Sequence, residues 1–212
     1  MKVGVIGLGY VGLPLAVAFA EEGHEVVGLD ADPRKVDALS EGRSYIEDVS
    51  SERLAALDGK LTATSRYPDM SACDAVIICV PTPLTNSREP DLSYMVDAAT
   101  SLAAVLQKGQ LIVLESTTYP GTTRERLRPI LEESGLAGGK DFHLAFSPER
   151  IDPGRTDFTI RTTPKVVGGI NEASTKRAVE LYSLVCDEVL EVSSPDAAEL
   201  SKLLENIFRS VN

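Results

Sequence analysis

Three glycines near the amino terminus are spaced so that a turn of the chain can hold a phosphate group. Residues 7–12 read Gly-Leu-Gly-Tyr-Val-Gly. Gly7 allows a tight turn, Gly9 lets the backbone approach a pyrophosphate, and Gly12 lets a following helix pack closely on a preceding strand. The unpaired N–H groups at a helix amino terminus and the helix dipole attract the anion. The spacing therefore predicts a phosphate-binding loop.

The residues around this loop predict the strand and the helix that must position it. Residues 2–6 are apolar and β-branched, and residues 11–22 carry apolar side chains at helical spacing. A second predicted strand, 25–29, ends at Asp30, at about the ~20-residue offset of the acid that hydrogen-bonds an adenosine ribose. Lys35, five residues further on, offers a cation to the same region. The glycine loop and Asp30 favour a NAD site with a preference for NAD over NADP, which the cation of Lys35 would weaken, and a ligand-free glycine-rich turn is the alternative.

The rest of the chain alternates short apolar runs with amphipathic stretches. This alternation predicts an α/β fold of the Rossmann type, with a doubly wound, mainly parallel sheet. Ligands bind such sheets beyond the carboxyl ends of the strands. The loops predicted at those ends are 7–12, the Asp30 turn, 80–84, 115–118 and 147–152.

The last residues form a different kind of segment. Ser194 and Pro195 are an N-cap and a first-turn proline. An apolar stripe follows at helical spacing, while Lys202 and Asn206 share a neighbouring face at i, i+4. No stop signal precedes Asn212, so we expect the start of a longer connecting helix. The predicted division is 1–193 for the nucleotide-binding domain and 194–212 for this helix.

Composition narrows the function classes. The chain has 212 residues and a formal net charge of −11, which argues against nucleic acid as a partner. No apolar run approaches the ~20 residues of a membrane span, and the first strand begins at once, so we expect a cytoplasmic protein without membrane association. The three cysteines form neither a disulfide framework nor a metal-binding pattern, and no metal site is predicted.

Five longer motifs resemble those of the UDP-glucose/GDP-mannose dehydrogenases. They are GLGYVGLP at 7–14, VPTPLTNSREPDLSY at 80–94, ESTTYPGTT at 115–123, FSPERIDPG at 146–154 and KLLENIFRSVN at 202–212. The resemblance covers essentially the whole chain, as the amino-terminal domain and the beginning of the connecting helix. The SPERxDPG form looks more like the UDP-N-acetylglucosamine or UDP-N-acetylmannosamine branch than the UDP-glucose branch.

The resemblance implies a reaction and its partners. Enzymes of this family oxidise C6 of a UDP-sugar twice to a carboxylate, with two NAD as hydride acceptors and a cysteine that forms a thioester. It implies that the full-length protein is a homodimer through the connecting helix. Thr117 would orient a water near the nicotinamide, Glu149 would be the base for thioester hydrolysis, and Lys202 and Asn206 would hold the sugar oxygen and the oxyanion.

The resemblance also assigns the binding residues. Those implied for the cofactor are Gly7, Leu8, Gly9, Tyr10, Val11, Gly12, Asp30, Lys35, Val80, Pro81, Thr82, Pro83, Ser116 and Thr117. Those implied for the substrate are Glu149, Arg150, Ile151, Asp152, Lys202 and Asn206. Asp152 stands where the UDP-glucose branch has a second glutamate, which leaves the role of a second carboxylate open.

The family's nucleophilic cysteine lies in a Gly-Gly-x-Cys motif that this chain lacks. Cys73, Cys79 and Cys186 are expected to be small buried apolar residues. We therefore expect the chain to bind NAD without full turnover. One alternative is a hydroxyacid dehydrogenase of the 6-phosphogluconate dehydrogenase type, which makes a single oxidation with Lys202, and another is a non-catalytic NAD-binding module.

Overall fold

A computed structural model describes residues 1–85, 90–150 and 159–211 of the chain. Eight strands form one sheet in the order β3-β2-β1-β4-β5-β6-β7-β8. The strands are β1 Lys2–Ile6, β2 Glu25–Leu29, β3 Leu61–Thr64, β4 Ala75–Ile78, β5 Leu111–Leu114, β6 His143–Phe146, β7 Lys165–Gly169 and β8 Val189–Glu191. The prediction of a doubly wound Rossmann-type fold is confirmed.

Seven α-helices connect and cover these strands. They are α1 Gly12–Glu21, α2 Pro33–Ser40, α3 Ser51–Ala55, α4 Ser93–Ala103, α5 Arg128–Glu132, α6 Glu172–Tyr182 and α7 Pro195–Val211 among the described residues. Helix α2 begins after Asp32, whose side chain accepts a hydrogen bond from the backbone of Arg34. No described helix has both the length and the apolar composition that crossing a bilayer requires.

The strand order reverses beside β1. The chain winds from β1 through β2 to β3 on one side, and then crosses to β4 on the other. All pairs are parallel except β6 and β7, which are antiparallel. The carboxyl ends of β1, β4, β5 and β6 therefore meet at one edge of the sheet, and β7 begins at that same edge.

Each face of the sheet has its own apolar core. On one face, Val5 and Ile77 pack in a cluster with Phe19 of α1 and Tyr182 of α6. On the other face, strand residues pack in a cluster with Met95 of α4 and Leu131 of α5. Burial on both sides explains why the central strands are continuous apolar runs rather than alternating ones.

Two short helical segments are of types that the sequence analysis did not specify. Thr122–Leu127 is a π-helix that leads into α5. Pro129 favours this local departure from an α-helix, because it offers no N–H to the carbonyl one turn earlier and its ring crowds that carbonyl. A 3₁₀ helix at Tyr67–Ala72 was not predicted.

Candidate cofactor-binding and catalytic site

A pocket of about 990 Å³ lies beyond the carboxyl ends of β1, β2, β4 and β5. It opens where the strand order reverses between β1 and β4, which is where doubly wound sheets bind ligands. The structure brings together in its wall most of the residues predicted for the cofactor. They are Gly7, Gly9, Tyr10, Val11, Asp30, Lys35, Val80, Pro81, Thr82, Ser116 and Thr117.

The remaining predicted cofactor residues lie outside this wall. Leu8 and Gly12 belong to the glycine loop but are buried, and they support its shape from inside. Pro83 is exposed on the loop after β4 and does not line the pocket. Ile151 and Asp152, predicted for the substrate, lie outside the described residues.

The glycines of the loop have three different functions. Gly7 has a φ of +94°, and a Cβ there would lie 2.6 Å from the carbonyl oxygen of Cys79. A Cβ at Gly12 would lie 1.9 Å from the carbonyl oxygen of Gly7, so α1 approaches the turn too closely for any side chain. A Cβ at Gly9 would meet no atom within 4 Å, and Gly9 lines the pocket. Gly7 and Gly12 therefore shape the loop, whereas Gly9 leaves space beside it.

The amino terminus of α1 faces this space without a protein cap. Its N-cap residue is Val11, and no described side chain caps the first turn. Backbone N–H groups in such a turn carry partial positive charge that a phosphate can neutralise. With the open space at Gly9, this makes the loop a suitable cradle for a pyrophosphate.

Asp30 joins the glycine loop to the second strand. Its side chain accepts hydrogen bonds from the backbone N–H of Leu8 at 2.8 Å and of Asp32 at 2.9 Å. The ammonium of Lys35 donates to the same carboxylate at 2.9 Å. Asp30 is almost fully buried, yet it lines the pocket. The carboxylate is therefore held in place by three donors, and Oδ1, which among the described residues accepts only from Asp32, keeps a lone pair for a ribose hydroxyl.

Tyr45 supports the same corner of the pocket from the loop after α2. Its hydroxyl donates a hydrogen bond to the carbonyl oxygen of Leu8 at 2.7 Å. The ammonium of Lys35 lies 5.9 Å from the centre of the Tyr45 ring, within reach of a cation–π interaction. Burial, followed by the charge of Asp30, raises the pKa of Tyr45 and keeps its hydroxyl a donor. This support was not predicted from the sequence.

The loops after β4 and β5 form the opposite wall. The hydroxyl of Ser116 donates to the carbonyl oxygen of Val80 at 2.7 Å, which joins the two loops. Pro81 and Thr82 follow on one loop and Thr117 on the other. Thr117 therefore lines the same pocket as the glycine loop, although 105 or more residues separate them in sequence.

A buried cluster of charged groups closes the pocket below Thr117. Glu115 follows β5 and accepts hydrogen bonds from Lys165 and, at 2.6 Å, from the hydroxyl of Tyr182. Lys165 also lies 3.5 Å from the carboxylate of Glu149. Glu115 and Glu149 both line the pocket. The sequence analysis placed Glu115 in a loop at the ligand-binding edge without giving it a role, and it missed Lys165, although a charged residue at the end of a buried strand is a usable signal.

Burial and neighbouring charges set the protonation of this cluster. Burial raises the pKa of Glu115 to about 7, and the charge of Lys165 opposes that rise only in part. Burial disfavours the charged form of Lys165, but the carboxylates of Glu115 and Glu149 outweigh it and raise the pKa of the ammonium. Lys165 is therefore held in its charged form at neutral pH.

Helix α7 brings the residues predicted for the substrate, Lys202 and Asn206, to the same place. The ammonium of Lys202 donates a hydrogen bond to the backbone carbonyl of Glu149. Arg150 forms an ion pair with Glu205 at 2.7 Å and donates to the carbonyl oxygen of Pro164 at 2.9 Å. Asn206, one turn after Lys202, is partly buried. The structure thus brings Lys202 to Glu149, and it places Arg150 against α7.

The three cysteines are buried, as the sequence predicted. Burial raises the pKa of Cys73 and of Cys186 to about 11, and it raises the pKa of Cys79 as well. Thiols of this kind are poor nucleophiles because the thiolate is scarce at neutral pH. Among the described residues, no group of three or more potential ligands could hold a metal ion.

Comparison with known proteins decides which family has this site. Residues 1–186 match the model of the NAD-binding domain of the UDP-glucose/GDP-mannose dehydrogenase family. The chain belongs to the UDP-glucose/GDP-mannose dehydrogenase family. It is the NAD-binding domain of that family, and the resemblance stated from the motifs is confirmed.

Several relatives of this NAD-binding domain are named as dehydrogenases of N-acetylated sugars. A UDP-N-acetyl-D-mannosamine dehydrogenase of Pyrococcus horikoshii is 37% identical, over 100% of this chain and 51% of its own length. A UDP-N-acetyl-D-glucosamine 6-dehydrogenase of Pseudomonas aeruginosa is 38% identical, over 100% of this chain and 50% of its own length. The solved structure of a UDP-D-ManNAc dehydrogenase from Pyrococcus horikoshii superposes with a TM-score of 0.93 at 38% identity, covering 100% of this chain and 51% of that one. The chain thus spans about half the length of the curated relatives that it matches.

The pocket of this NAD-binding domain fits its cofactor. The open space at Gly9 and the uncapped turn of α1 suit a pyrophosphate. The held carboxylate of Asp30, with one lone pair left on Oδ1, suits a hydroxyl of an unphosphorylated ribose. When bound, NAD supplies the acceptor for a hydride, and Ser116 and Thr117 are the polar residues on the far wall.

Proposed function

We propose that the chain is the NAD-binding half of a UDP-N-acetylhexosamine 6-dehydrogenase, which oxidises C6 of the sugar to a carboxylate with two NAD. The observation that carries this proposal is the contact of Lys202 with Glu149 at the edge of the cofactor pocket. An alcohol oxidation needs a hydride acceptor beside groups that bind the oxygen and accept its proton. The names of the relatives support the N-acetylated branch.

The proposed roles follow the positions of the side chains. Thr117 lies in the pocket wall and would orient a water there. Glu149, in the same wall, would be the base that activates water for thioester hydrolysis. Lys202 and Asn206, one turn apart on α7, would hold the sugar oxygen and stabilise the oxyanion. Arg150 would contact the substrate, together with Ile151 and Asp152, which follow it in sequence.

Helix α7 would supply the dimer contact as well. Its outer face exposes a row of apolar side chains, namely Leu200, Leu203, Leu204, Ile207, Phe208 and Val211. A patch of this kind on a helix is typical of a protein–protein interface. We propose that 1–193 is the NAD-binding domain, that α7 begins the connecting helix, and that this helix pairs with a second copy in a cytoplasmic homodimer.

Turnover assays test the proposed function. They are run on this chain and on the full product of its reading frame, with UDP-N-acetylglucosamine, UDP-N-acetylmannosamine and a simple hydroxyacid as substrates. We expect the full product to release two NADH per UDP-sugar, and a Lys202→Ala variant to lose this activity. Lys176→Ala is the matched control, because Lys176 is exposed on α6. Oxidation of the hydroxyacid alone, with one NADH per molecule, would contradict the proposal.

The isolated chain should bind NAD without sustained turnover. The pocket for the cofactor is complete among its residues, whereas a substrate held only by Lys202, Asn206 and the 149–152 loop is poorly positioned. Loss of positioning alone removes on the order of 7–11 kcal/mol of barrier lowering. Two NADH per sugar from residues 1–212 alone would instead mean that one buried cysteine is the nucleophile.

A further inference from the structure

Lys165 is a buried cation held between two acidic side chains. Only 8% of its side chain is exposed. Its ammonium donates a hydrogen bond to Glu115 and lies 3.5 Å from an oxygen of Glu149. A buried ammonium is costly unless acids and hydrogen bonds compensate for its lost hydration. The charged form of Lys165 is therefore stabilised by both carboxylates, and the charged form of each carboxylate is stabilised by Lys165.

The sheet topology explains how these three groups meet. Glu115 follows β5 and Glu149 follows β6, at the edge where parallel strands end. β7 is antiparallel to β6, with Phe146 opposite Gly168, so Lys165 at the start of β7 lies at the same edge. A parallel strand in this position would carry its first residue to the opposite edge. The single reversal of direction thus delivers the cation to the pocket.

Other groups near Lys165 fix the charge balance. Tyr182 of α6 donates its hydroxyl to Glu115 at 2.6 Å, and its ring centre lies 5.1 Å from the ammonium. Cys79 after β4 and Cys186 after α6 are neutral thiols, because burial raises the pKa of both. The cluster around Lys165 therefore contains two acids, one cation and neutral donors, and the ammonium of Lys202 lies beside it at the backbone carbonyl of Glu149. When Glu115 is protonated, Glu149 is the remaining carboxylate of the cluster that pairs with the charge of Lys165.

We propose that Lys165 is a positioning residue for Glu149: its ammonium keeps this carboxylate ionised and fixed at the pocket wall, while Glu115 and Tyr182 anchor the ammonium from behind. The inference rests on the proposed function, in which Glu149 is the base. A base must be ionised before it accepts a proton from water, and an adjacent cation favours the ionised form. Protonation of Glu115, whose pKa burial raises to about 7, then adjusts how much of the cation's field reaches Glu149.

Titration of the carboxyl carbons tests this inference without any substrate. The chain is labelled with ¹³C-glutamate, and the resonances are assigned with Glu115→Gln and Glu149→Gln variants. We expect Lys165→Met to move the titration midpoints of both glutamates upward by about one pH unit or more. Lys165→Arg should restore them, because it retains the charge. Lys176→Met is the matched control, since Lys176 pairs with Glu172 on the surface.

A second variant covers the case in which Lys165→Met does not fold. Glu149→Gln should lower the midpoint of Glu115, because the charge of Glu149 raises it in the unaltered protein. An unchanged Glu149 midpoint in folded Lys165→Met, or an unchanged Glu115 midpoint in Glu149→Gln, would overturn the inference. Both measurements are independent of turnover, so failure of the dehydrogenase assay leaves their outcome intact. In an active full product, Lys165→Met should move the acid limb of the pH–rate profile upward, and Lys165→Arg should not.

Discussion

The carboxylate of Glu199 on α7 accepts two hydrogen bonds from Thr123, one from its backbone N–H at 2.8 Å and one from its hydroxyl at 2.6 Å. The backbone N–H of Gly121 donates a third, at 2.6 Å. Glu199 thereby caps the π-helix from another part of the chain. This contact fixes α7, which carries Lys202 one turn later, against the segment that follows Thr117.

Removing the charge of Glu199 should destabilise the protein. Glu199→Gln turns one acceptor into an NH₂ group that faces N–H donors, so we expect the free energy of unfolding to fall by about 1–3 kcal/mol. Urea denaturation measures the change, and faster hydrogen exchange at Gly121 and Thr123 would localise it. Glu133→Gln is the control, because Glu133 is exposed. Equal stability of the two variants would show that the contact contributes little.

Two glycine substitutions should separate folding from cofactor binding. Gly12→Ala places a Cβ 1.9 Å from the carbonyl oxygen of Gly7, so we expect loss of stability together with loss of NAD binding. Gly9→Ala meets no atom within 4 Å, so the protein should unfold at its usual temperature. Its methyl group occupies the space for the pyrophosphate, and NAD affinity should fall tenfold or more, about 1.4 kcal/mol. Thermal unfolding and calorimetric titration with NAD measure the two effects. Undiminished NAD binding by Gly9→Ala would contradict the proposed cradle.

Asp30 should make the domain prefer NAD to NADP. A 2′-phosphate would lie against a carboxylate that already accepts from Leu8, and Lys35 is engaged by Asp30 and only partly offsets the repulsion. We expect calorimetry to show tighter binding of NAD. Asp30→Ala should reduce the difference in affinity between NAD and NADP, whereas Asp37→Asn, on the exposed side of α2, should not. Equal or tighter binding of NADP by the unaltered chain would refute this role.

The raised pKa of Glu115 should make stability depend on pH. The pKa is 4.5 for an ordinary glutamate and about 7 in the folded chain, so the folded state binds an additional proton between these values. The stabilisation is complete below pH 4.5 and is lost as the pH rises to about 7. The unfolding free energy of the native protein minus that of Glu115→Gln should therefore fall across this range, by on the order of 2 kcal/mol. A difference that is flat with pH would mean that Glu115 is ionised throughout.

The exposed face of α7 should drive self-association. Leu204 and Ile207 are at least half exposed in the single chain. We expect sedimentation of the unaltered chain to detect a dimer, and Leu204→Glu to weaken it tenfold or more, about 1.4 kcal/mol. Val96→Glu places the same charge on an exposed apolar position of α4 and is the control. A monomer at all concentrations, with α7 formed, would contradict the proposed pairing.

The sequence by itself determined the nucleotide-binding half of this protein. The glycine spacing, the buried strands and Asp30 are local features, and each restricts the backbone within a few residues of itself. They predicted the doubly wound sheet and most of the pocket wall. The longer motifs likewise predicted the family, because several of them occur in order along one chain.

Only the tertiary structure decided which distant charges meet. Lys165 is 50 residues from Glu115, and Glu199 is 76 residues from Thr123, so no periodicity joins either pair. The antiparallel direction of β7 and the docking of α7 bring them together. The sequence shows that these residues can carry charge. Folding alone removes water from around them, and that loss of hydration is what makes each of them depend on a partner.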